Sequence, residues 1–439
     1  MIRFIALVAC LATLACRQAP HRPNVLVIVI DTLRADKLGC YGFPLETSPN
    51  MDRMAAQGIR FDDVIAPSSW TRPSMGSLFT GIYPRTLGIY RELGDVLGNP
   101  FTTLAEYLQG VGYKTFGMTA NPNTNRVFNF DQGFETYVDS HVVFDWMGPD
   151  DQTSNQAVNR LNPARTIFKE ANEWLKRQNN HPVYLQLTLM EVHEFDRGPL
   201  SLIRRDFRAH FRDQPEYKYL QTIKQVDSDI GSFVADLTSR PGWEDAIVVL
   251  VSDHGEGLDD HTSVTHARYH GYQLFESQVR VPWIIYTPDK RWGQSVITER
   301  VGLIDFTPTL LHLLNIPTLE GLDGRPLLNQ DGQYTSGGRD YEITETYFRD
   351  SDKLAVYGST WKYFENRDQW PGLDPQELYP RGVKEQGHEN SQWTKQPQPA
   401  METYLTNWES AFAKRPAVHD GHELSDAELE QLRALGYVQ

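Results

Sequence analysis

The chain has 439 residues, 40% of them hydrophobic and 23% charged, with a formal net charge of −15. That balance is ordinary for a globular protein and fits one large domain with a smaller appendage. The acidic excess excludes a nucleic-acid partner, since phosphate binding needs a basic face.

Residues 1–16, MIRFIALVACLATLAC, carry one basic residue, Arg3, ahead of an apolar stretch from Phe4 to Ala15. The stretch is shorter than the ~20 residues of a membrane-spanning helix, and it suits an export signal. It also resembles a bacterial lipoprotein signal. Cys16, after Thr-Leu-Ala, has the better length for a lipidated residue; Cys10 fits the small-residue pattern but leaves a very short apolar region. A plain cleaved signal or a membrane-attached helix is the alternative. The expectation is an exported protein, periplasmic or held at the cell envelope as a lipoprotein, touching membrane only through its N-terminal anchor. With those two cysteines in the signal only Cys40 remains, so neither a disulfide nor a zinc-thiolate site can form within the folded part.

After the polar linker RQAPHRPN, the run VLVIVI (residues 25–30) reads as a strand buried on both faces, ending at Asp31. TSPNMDRMAAQGIRF predicts a helix starting at Ser48 and Pro49 and stopping at Gly58. FTTLAEYLQGVGYKTFGMTAN gives a helix, a Gly turn and a strand. ARTIFKEANEWLKRQ with PVYLQLTLM repeats that order, and YLQTIKQVDSDIGSFVADLTSR with AIVVLVSD repeats it again. The alternation predicts an α/β fold: a doubly wound, mostly parallel central sheet with helices on both faces, over residues 23–339. Residues 340–439 have shorter apolar runs, and 376–400 are polar with little periodicity. They read as a smaller C-terminal α+β subdomain closed by a helix at LSDAELEQLRAL. His312, inside TLLHLL, is expected in a packed helix without a function.

Two buried strands end in carboxylates, Asp31 and Asp253, and ligands of open parallel sheets bind beyond those strand ends. With His254 they form a set that suits Zn²⁺ or Mn²⁺ best and also admits Ca²⁺ or Mg²⁺. The following stretch holds Glu256, Asp259, Asp260, His261, His266 and His270; for Asp259, Asp260, His261 and His266 a solvated acidic loop is the better reading. In MEVHEF, Glu191 and His193 would share a face of extended backbone, making His193 a metal ligand or a grip on an anionic oxygen. Thr71 precedes Pro73, which suits the first turn of a helix whose free amides face an anion. A Thr hydroxyl attacks only once a cation lowers its pKa. The late aromatics Tyr347, Phe348, Trp361, Tyr363, Trp370 and Trp393 wall a pocket or fill a core, with the core favoured.

The ordered series NVLVIVIDTLRADKLGCYG, TRPSMGSLFTGIYP, MEVHEF, VLVSDHGEGL and HGYQLFESQVRVP resembles the sulfatase family of the alkaline phosphatase superfamily. GLIDFTPTLLHLL, STWKYF and LRALGYV resemble its later segments, so the likeness runs from about residue 23 to the end. The departures matter. Sulfatases carry Cys or Ser in C/S-x-P-x-R, later converted to formylglycine; this chain has Thr71 there and Met75 in place of the Arg. The family's paired Asp is Asp31 followed by Thr32, and the expected sulfate-gripping Lys and His are Ala120 and Pro122. Thr cannot yield that aldehyde, which disfavours a formylglycine sulfatase.

The departures resemble a branch of phosphodiesterases and phosphoryl transferases that use a metal-bound Thr and a phosphothreonine intermediate. By that resemblance Asp31, Thr71, Asp253 and His254 hold one divalent metal. His193 and His270 are catalytic, holding a second metal or the phosphoryl group, with Glu191 as a further candidate. Asn121 and Arg72 are the substrate-binding candidates. The expected activity is hydrolysis, or transfer, of phosphate esters, diesters above all, in a small anionic ester or an envelope lipid or glycan. Sulfate esters are the first alternative, and a catalytically silent envelope-binding relative is the second.

Overall fold

Strand β1 (Val25–Ile30) is no more than 1% exposed at any residue, because it lies at the middle of a sheet with neighbours on both edges and cover on both faces. It pairs in parallel with β5 (Val183–Leu189) on one side and β6 (Ile247–Val251) on the other. The eight-stranded sheet has the order β4-β3-β5-β1-β6-β7-β2-β8. Strands β2 (Ile59–Ile65), β3 (Lys114–Thr119), β4 (Thr136–Val138) and β8 (Ser295–Gly302) share the direction of β1, and β7 (Arg280–Tyr286) runs against them. The computed structural model describes residues 21–412, apart from 90–93, 144–162, 179–180, 197–202, 319, 336–338 and 369, together with residue 429. The signal segment with Cys10 and Cys16, and the closing helix read at LSDAELEQLRAL, fall outside the described residues, apart from residue 429 of the latter. Among the described residues no helix is long and apolar enough to cross a membrane.

The helices follow from local chemistry. Helix α1 (Pro49–Ala55) begins at Ser48 with Pro at its start, as expected, but ends three residues before Gly58. Gly58 marks instead the entry to β2, where a Cβ would stand 2.1 Å from the Ile285 carbonyl oxygen. Helix α2 (Thr71–Thr80) is wholly buried, and the one-turn α3 (Pro84–Leu87) follows. Helix α4 (Leu104–Gly110) opens with a capping box in which Thr103 and Glu106 satisfy each other's amides. Helix α5 (Pro163–Leu175) buries Ala164, Ile167, Phe168, Ala171 and Trp174 at helical spacing, and Phe168 stacks on Phe233 of α6 (Tyr217–Thr238) at 4.2 Å. The short α7 (Glu276–Val279) leads into β7, and α8 (Phe306–Leu313) packs on α2. His312 lies in α8 but on its exposed side, not in packing.

The second sheet, β12-β11-β10-β9, is antiparallel: β9 (Tyr341–Thr346), β10 (Lys353–Gly358), β11 (Trp361–Asn366) and β12 (Gln376–Pro380). The polar stretch after residue 376 thus opens with a strand. Along β10 side chains alternate: Ala355 and Tyr357 join the main core, while Leu354 and Val356 pack with Met401 and Leu405 of α9 (Pro399–Phe412). Period-two alternation with both faces covered explains why every β10 residue is buried. The late aromatics divide accordingly. Tyr363 is core, and Trp361 and Trp393 pack on it. Phe348 is buried against Trp70 at 5.4 Å, Trp370 lies against Tyr272, and the Tyr347 hydroxyl receives Arg85.

Candidate active site

Parallel strands place their carboxyl ends on one edge, and four of those ends build the site. Register pairs Val29 with both Thr188 and Val251, and Thr188 with Thr119. The next residues of β1, β6, β5 and β3 are therefore brought together: Asp31, Asp253 with His254, the His193 turn, and Asn121. Helix α2 delivers Thr71 as its first residue, pinned by the Ser74 hydroxyl donating to the Asp253 carbonyl at 2.6 Å. Asp31, Thr71, Asn121 and His254 are 0% exposed, and Asp253 1%.

The side chains converge. Thr71 Oγ1 lies 3.2 Å from His254 Nε2 and accepts from Asn121 Nδ2 at 3.1 Å. His254 Nε2 is 3.6 Å from Asp31 Oδ1 and 3.4 Å from Asp253 Oδ2. Those two carboxylate oxygens are buried without a hydrogen-bond partner, although Asp253 Oδ1 accepts the His254 amide and Asn121 donates to Asp31 Oδ2. The His254 Nδ1 is 2.9 Å from the Gly255 carbonyl; donation there leaves Nε2 with its lone pair toward the carboxylates. Two bare carboxylate oxygens, facing a ring nitrogen whose one polar partner is the Thr71 hydroxyl, lack a compensating group inside the protein. Ligands ~2.0–2.1 Å from one tetrahedral ion stand ~3.3 Å apart, and the 3.2–3.6 Å separations here fit that. Asp31, Asp253 and His254 are a cluster able to hold a metal ion, with Thr71 Oγ1 as the fourth donor.

The charges agree. Burial pushes the Asp253 carboxyl up to about 6, and burial together with the Asp253 charge raises that of Asp31. Burial and the neighbouring His270 push His254 down to about 3. A divalent ion reverses each of these penalties.

Two further histidines form the outer side, where the site reaches solvent: their side chains are 7% (His193) and 11% (His270) exposed. The His270 ring lies 4.7 Å from that of His254 and 4.9 Å from that of His193. Each is oriented through Nδ1 by a carboxylate: His193 by Glu194 at 2.7 Å and His270 by Glu256 at 3.0 Å. Burial opposes protonation of His193, but the Glu194 bond and the Asp31 charge outweigh it and raise its pKa. Burial likewise opposes ionisation of Glu256, and His270 outweighs it. Glu256 is held between two glycines that have no room for a side chain, since a Cβ on Gly255 or Gly257 would stand 2.1 Å or 1.6 Å from a backbone oxygen.

Other candidates lie elsewhere. Residues 191–196 form a turn, not extended backbone, so Glu191 and His193 do not share a face. Glu191 Oε1 accepts the Ala164 amide at 2.6 Å at the start of α5, and burial pushes it up to about 7. Arg72 Nη2 donates to Asn123 at 2.9 Å, and its guanidinium lies 3.4 Å over the Phe128 ring. Asp260 pairs with Arg34, His261 lies between Ser277 and the Glu385 carbonyl, and His266 stacks on Tyr272. Asp259 pairs with Arg268. Met75 is buried in α2, and Ala120 and Pro122 flank Asn121 below the surface. Residue patterns alone did not single out Glu194 and Glu256 as the groups that orient the histidines. Their only signal is a carboxylate beside each histidine pocket in MEVHEF and DHGEG.

A family model described as Sulfatase matches residues 23–316. Arylsulfatase A of Bos taurus is 42% identical over 367 residues, 74% of this chain and 71% of its own. N-acetylgalactosamine-6-sulfatase of Sus scrofa is 25% identical over 399 residues, 80% of this chain and 73% of its own. Among solved structures, the phosphonate monoester hydrolase of Agrobacterium radiobacter superposes with a TM-score of 0.70 at 18% identity, covering 92% of this chain and 99% of the other.

Proposed function

The chain belongs to the sulfatase family of the alkaline phosphatase superfamily, a family of ester hydrolases that use a divalent metal ion, and from that premise we propose that it cleaves phosphate esters, diesters above all, with Thr71 as nucleophile. One observation carries the reading: a Thr hydroxyl, not an aldehyde precursor, stands 3.2 Å from His254 Nε2, beside two buried carboxylate oxygens without partners. A divalent ion bound there lowers the pKa of the hydroxyl and offsets charge on the phosphoryl oxygens.

Thr71 Oγ1, its hydroxyl proton released to bulk water before attack, attacks phosphorus; an Oγ1–P bond forms, and the P–O bond to the leaving alcohol breaks. The proton for the departing oxygen comes from His270 or His193, the polar groups on the open side. Water then attacks the phosphothreonine, the Oγ1–P bond breaks, and the same imidazole accepts the water proton. The first-turn amides of α2, uncapped by the Trp70 side chain, are available to the anion. Asn121, whose side-chain amide donates to both Asp31 and Thr71, positions the nucleophile, and it reaches a phosphoryl oxygen by giving up one of those two bonds. Arg72, the other substrate-binding candidate, is fully buried and acts through Asn123, whose backbone amide donates to Asn121 Oδ1 at 2.8 Å. The Asp31/Asp253/His254 set and the oriented histidines argue against a catalytically silent relative.

Sulfate esters are the second reading, favoured by the sulfatase relatives. Rates on an aryl phosphodiester, an aryl phosphonate, an aryl phosphate and an aryl sulfate, measured with Zn²⁺ or Mn²⁺, separate the two. The diester is expected to lead, with Thr71→Ala inactive. An aryl sulfate as best substrate, or full diesterase activity in Thr71→Ala, overturns the proposal.

A further inference from the structure

Glu256 aims His270 only as well as its own backbone is held, and that backbone is intrinsically loose. It stands between Gly255 and Gly257, the residue type with the most conformational freedom. The amides of this segment are tied to α7: Gly255 donates to the Gln278 carbonyl at 2.8 Å and Glu256 to the Ser277 carbonyl at 3.1 Å. Its carbonyls have a different partner. Arg34, on the loop leaving β1, donates from Nη1 to the Glu256 carbonyl at 3.1 Å and reaches the Gly257 carbonyl at 3.4 Å. The rest of that guanidinium is fixed by carboxylates: Nε donates to Asp36 at 2.9 Å, and Nη2 donates to Asp36 at 2.7 Å and to Asp260 at 2.6 Å. The next residue along, Leu258, has a φ of +52°. That conformation is costly for a leucine and persists only where the surroundings over-determine it.

We propose that Arg34 is a positioning residue for the proton transfer: by gripping the Glu256 and Gly257 carbonyls it holds the Glu256 carboxylate where it orients His270. The metal cluster is held by other bonds. The Asp31 amide donates to the Leu189 carbonyl at 2.9 Å, the Leu33 amide to Ser252 Oγ at 2.9 Å, and the Asp253 carbonyl receives the Ser74 hydroxyl at 2.6 Å. A change at Arg34 therefore reaches the chemistry through the imidazole and not through the ion. Lys at position 34 keeps a positive charge for Asp36 and Asp260, but its single ammonium cannot also fork onto the carbonyls. Two buried carbonyls then lose their donor, and the turn at residues 255–257 shifts to regain one. The inference rests on the reading of His270 as the acid given above.

The test is a double-mutant cycle of Arg34→Lys and His270→Gln in the full chain with Zn²⁺. The substrates are methyl phosphodiesters with p-nitrophenolate or an alkoxide as leaving group, and bound zinc is counted by mass spectrometry. Arg34→Lys is expected to hold as much zinc as wild type and to lose roughly tenfold in kcat with the alkoxide. With p-nitrophenolate, which needs no acid, the loss is expected to stay below about threefold. The double variant is expected within about threefold of His270→Gln alone, because a residue that acts through His270 then has nothing left to position. A further loss of roughly tenfold in the double variant, equal losses with both leaving groups, or lost zinc in Arg34→Lys overturns the inference alone. If Arg34→Lys does not fold, Asp260→Asn, which loosens the same guanidinium, takes its place in the cycle and the same outcomes decide. If His270→Gln itself shows no dependence on the leaving group, the acid reading falls and the inference with it.

Discussion

Replacing Asp253 by Asn should stabilise the metal-free protein while disabling the site. The Asp253 carboxyl is pushed up from 3.8 to about 6 by burial, so at neutral pH the empty site holds a charge it disfavours. Two pK units correspond to about 3 kcal/mol. Asn keeps an oxygen for the His254 and Thr32 amides, and its NH₂ replaces an oxygen that has no partner and lies 3.4 Å from His254 Nε2. A gain on the order of 2 kcal/mol remains after discounting imperfect fit. A 439-residue chain unfolds with an entropy of about 0.9 kcal/mol/K, so the melting temperature in EDTA at pH 8 rises by about 2 °C. The sign follows from proton counting. Between about pH 4 and 6 the folded wild type binds more protons than the unfolded chain, so its stability falls as pH rises. The advantage of Asn is therefore absent below pH 4, grows to about pH 6 and then levels off. Saturating Zn²⁺ reverses the order, because an ion at a thousand times its Kd stabilises wild type by about 4 kcal/mol. Calorimetry with EDTA and with Zn²⁺ across pH 4–8 is the assay. An Asn variant less stable than wild type in EDTA at pH 8, or a difference flat in pH, refutes the reasoning.

Thr71→Ala is expected to lower kcat/KM for an aryl diester by roughly 10³-fold or more, and Thr71→Ser to stay within about tenfold; intact mass after rapid quench shows the phosphorylated chain in wild type and not in Thr71→Ala. His270→Gln should cost on the order of 10²-fold with a poor alkoxide leaving group and far less with p-nitrophenolate, and equal losses across a leaving-group series would remove its role as acid. Gly257→Ala places a Cβ 1.6 Å from the Ala267 carbonyl; a loss of about 3 kcal/mol or more is expected, read as a drop in melting temperature or in soluble yield.

The centre of the fold was legible because β1 and β6 are apolar throughout and end in carboxylates, a pattern that only a doubly covered parallel strand needs. Thr71 could be placed because Pro73 marks a helix start and the metal candidates required a nucleophile. The other side of the sheet was not legible. Strand β2 carries Asp62 and Asp63 in its middle, and β7 contains Pro282, both poor strand signals taken singly. Asp63 is nevertheless buried, paired with Arg300 at 2.9 Å and Arg381 at 2.6 Å, a long-range match that no local window contains. Glu191 misled for a related reason: spacing alone implied extended backbone, whereas the chain turns after Leu189 and spends Glu191 on the Ala164 amide of α5. The carboxylates that aim His193 and His270 are visible only in three dimensions.

Asp31 and Asp253 lie more than two hundred positions apart, yet both belong to one cluster. In a disordered polypeptide, bringing them together costs on the order of 5 kcal/mol in loop entropy, and the adjacent Asp253–His254 pair alone is a poor chelator. Capture of the cation thus waits until β6 has docked beside β1. Whatever divalent ions surround the polypeptide where it finishes folding, rather than where it is synthesised, are the ones among which it chooses.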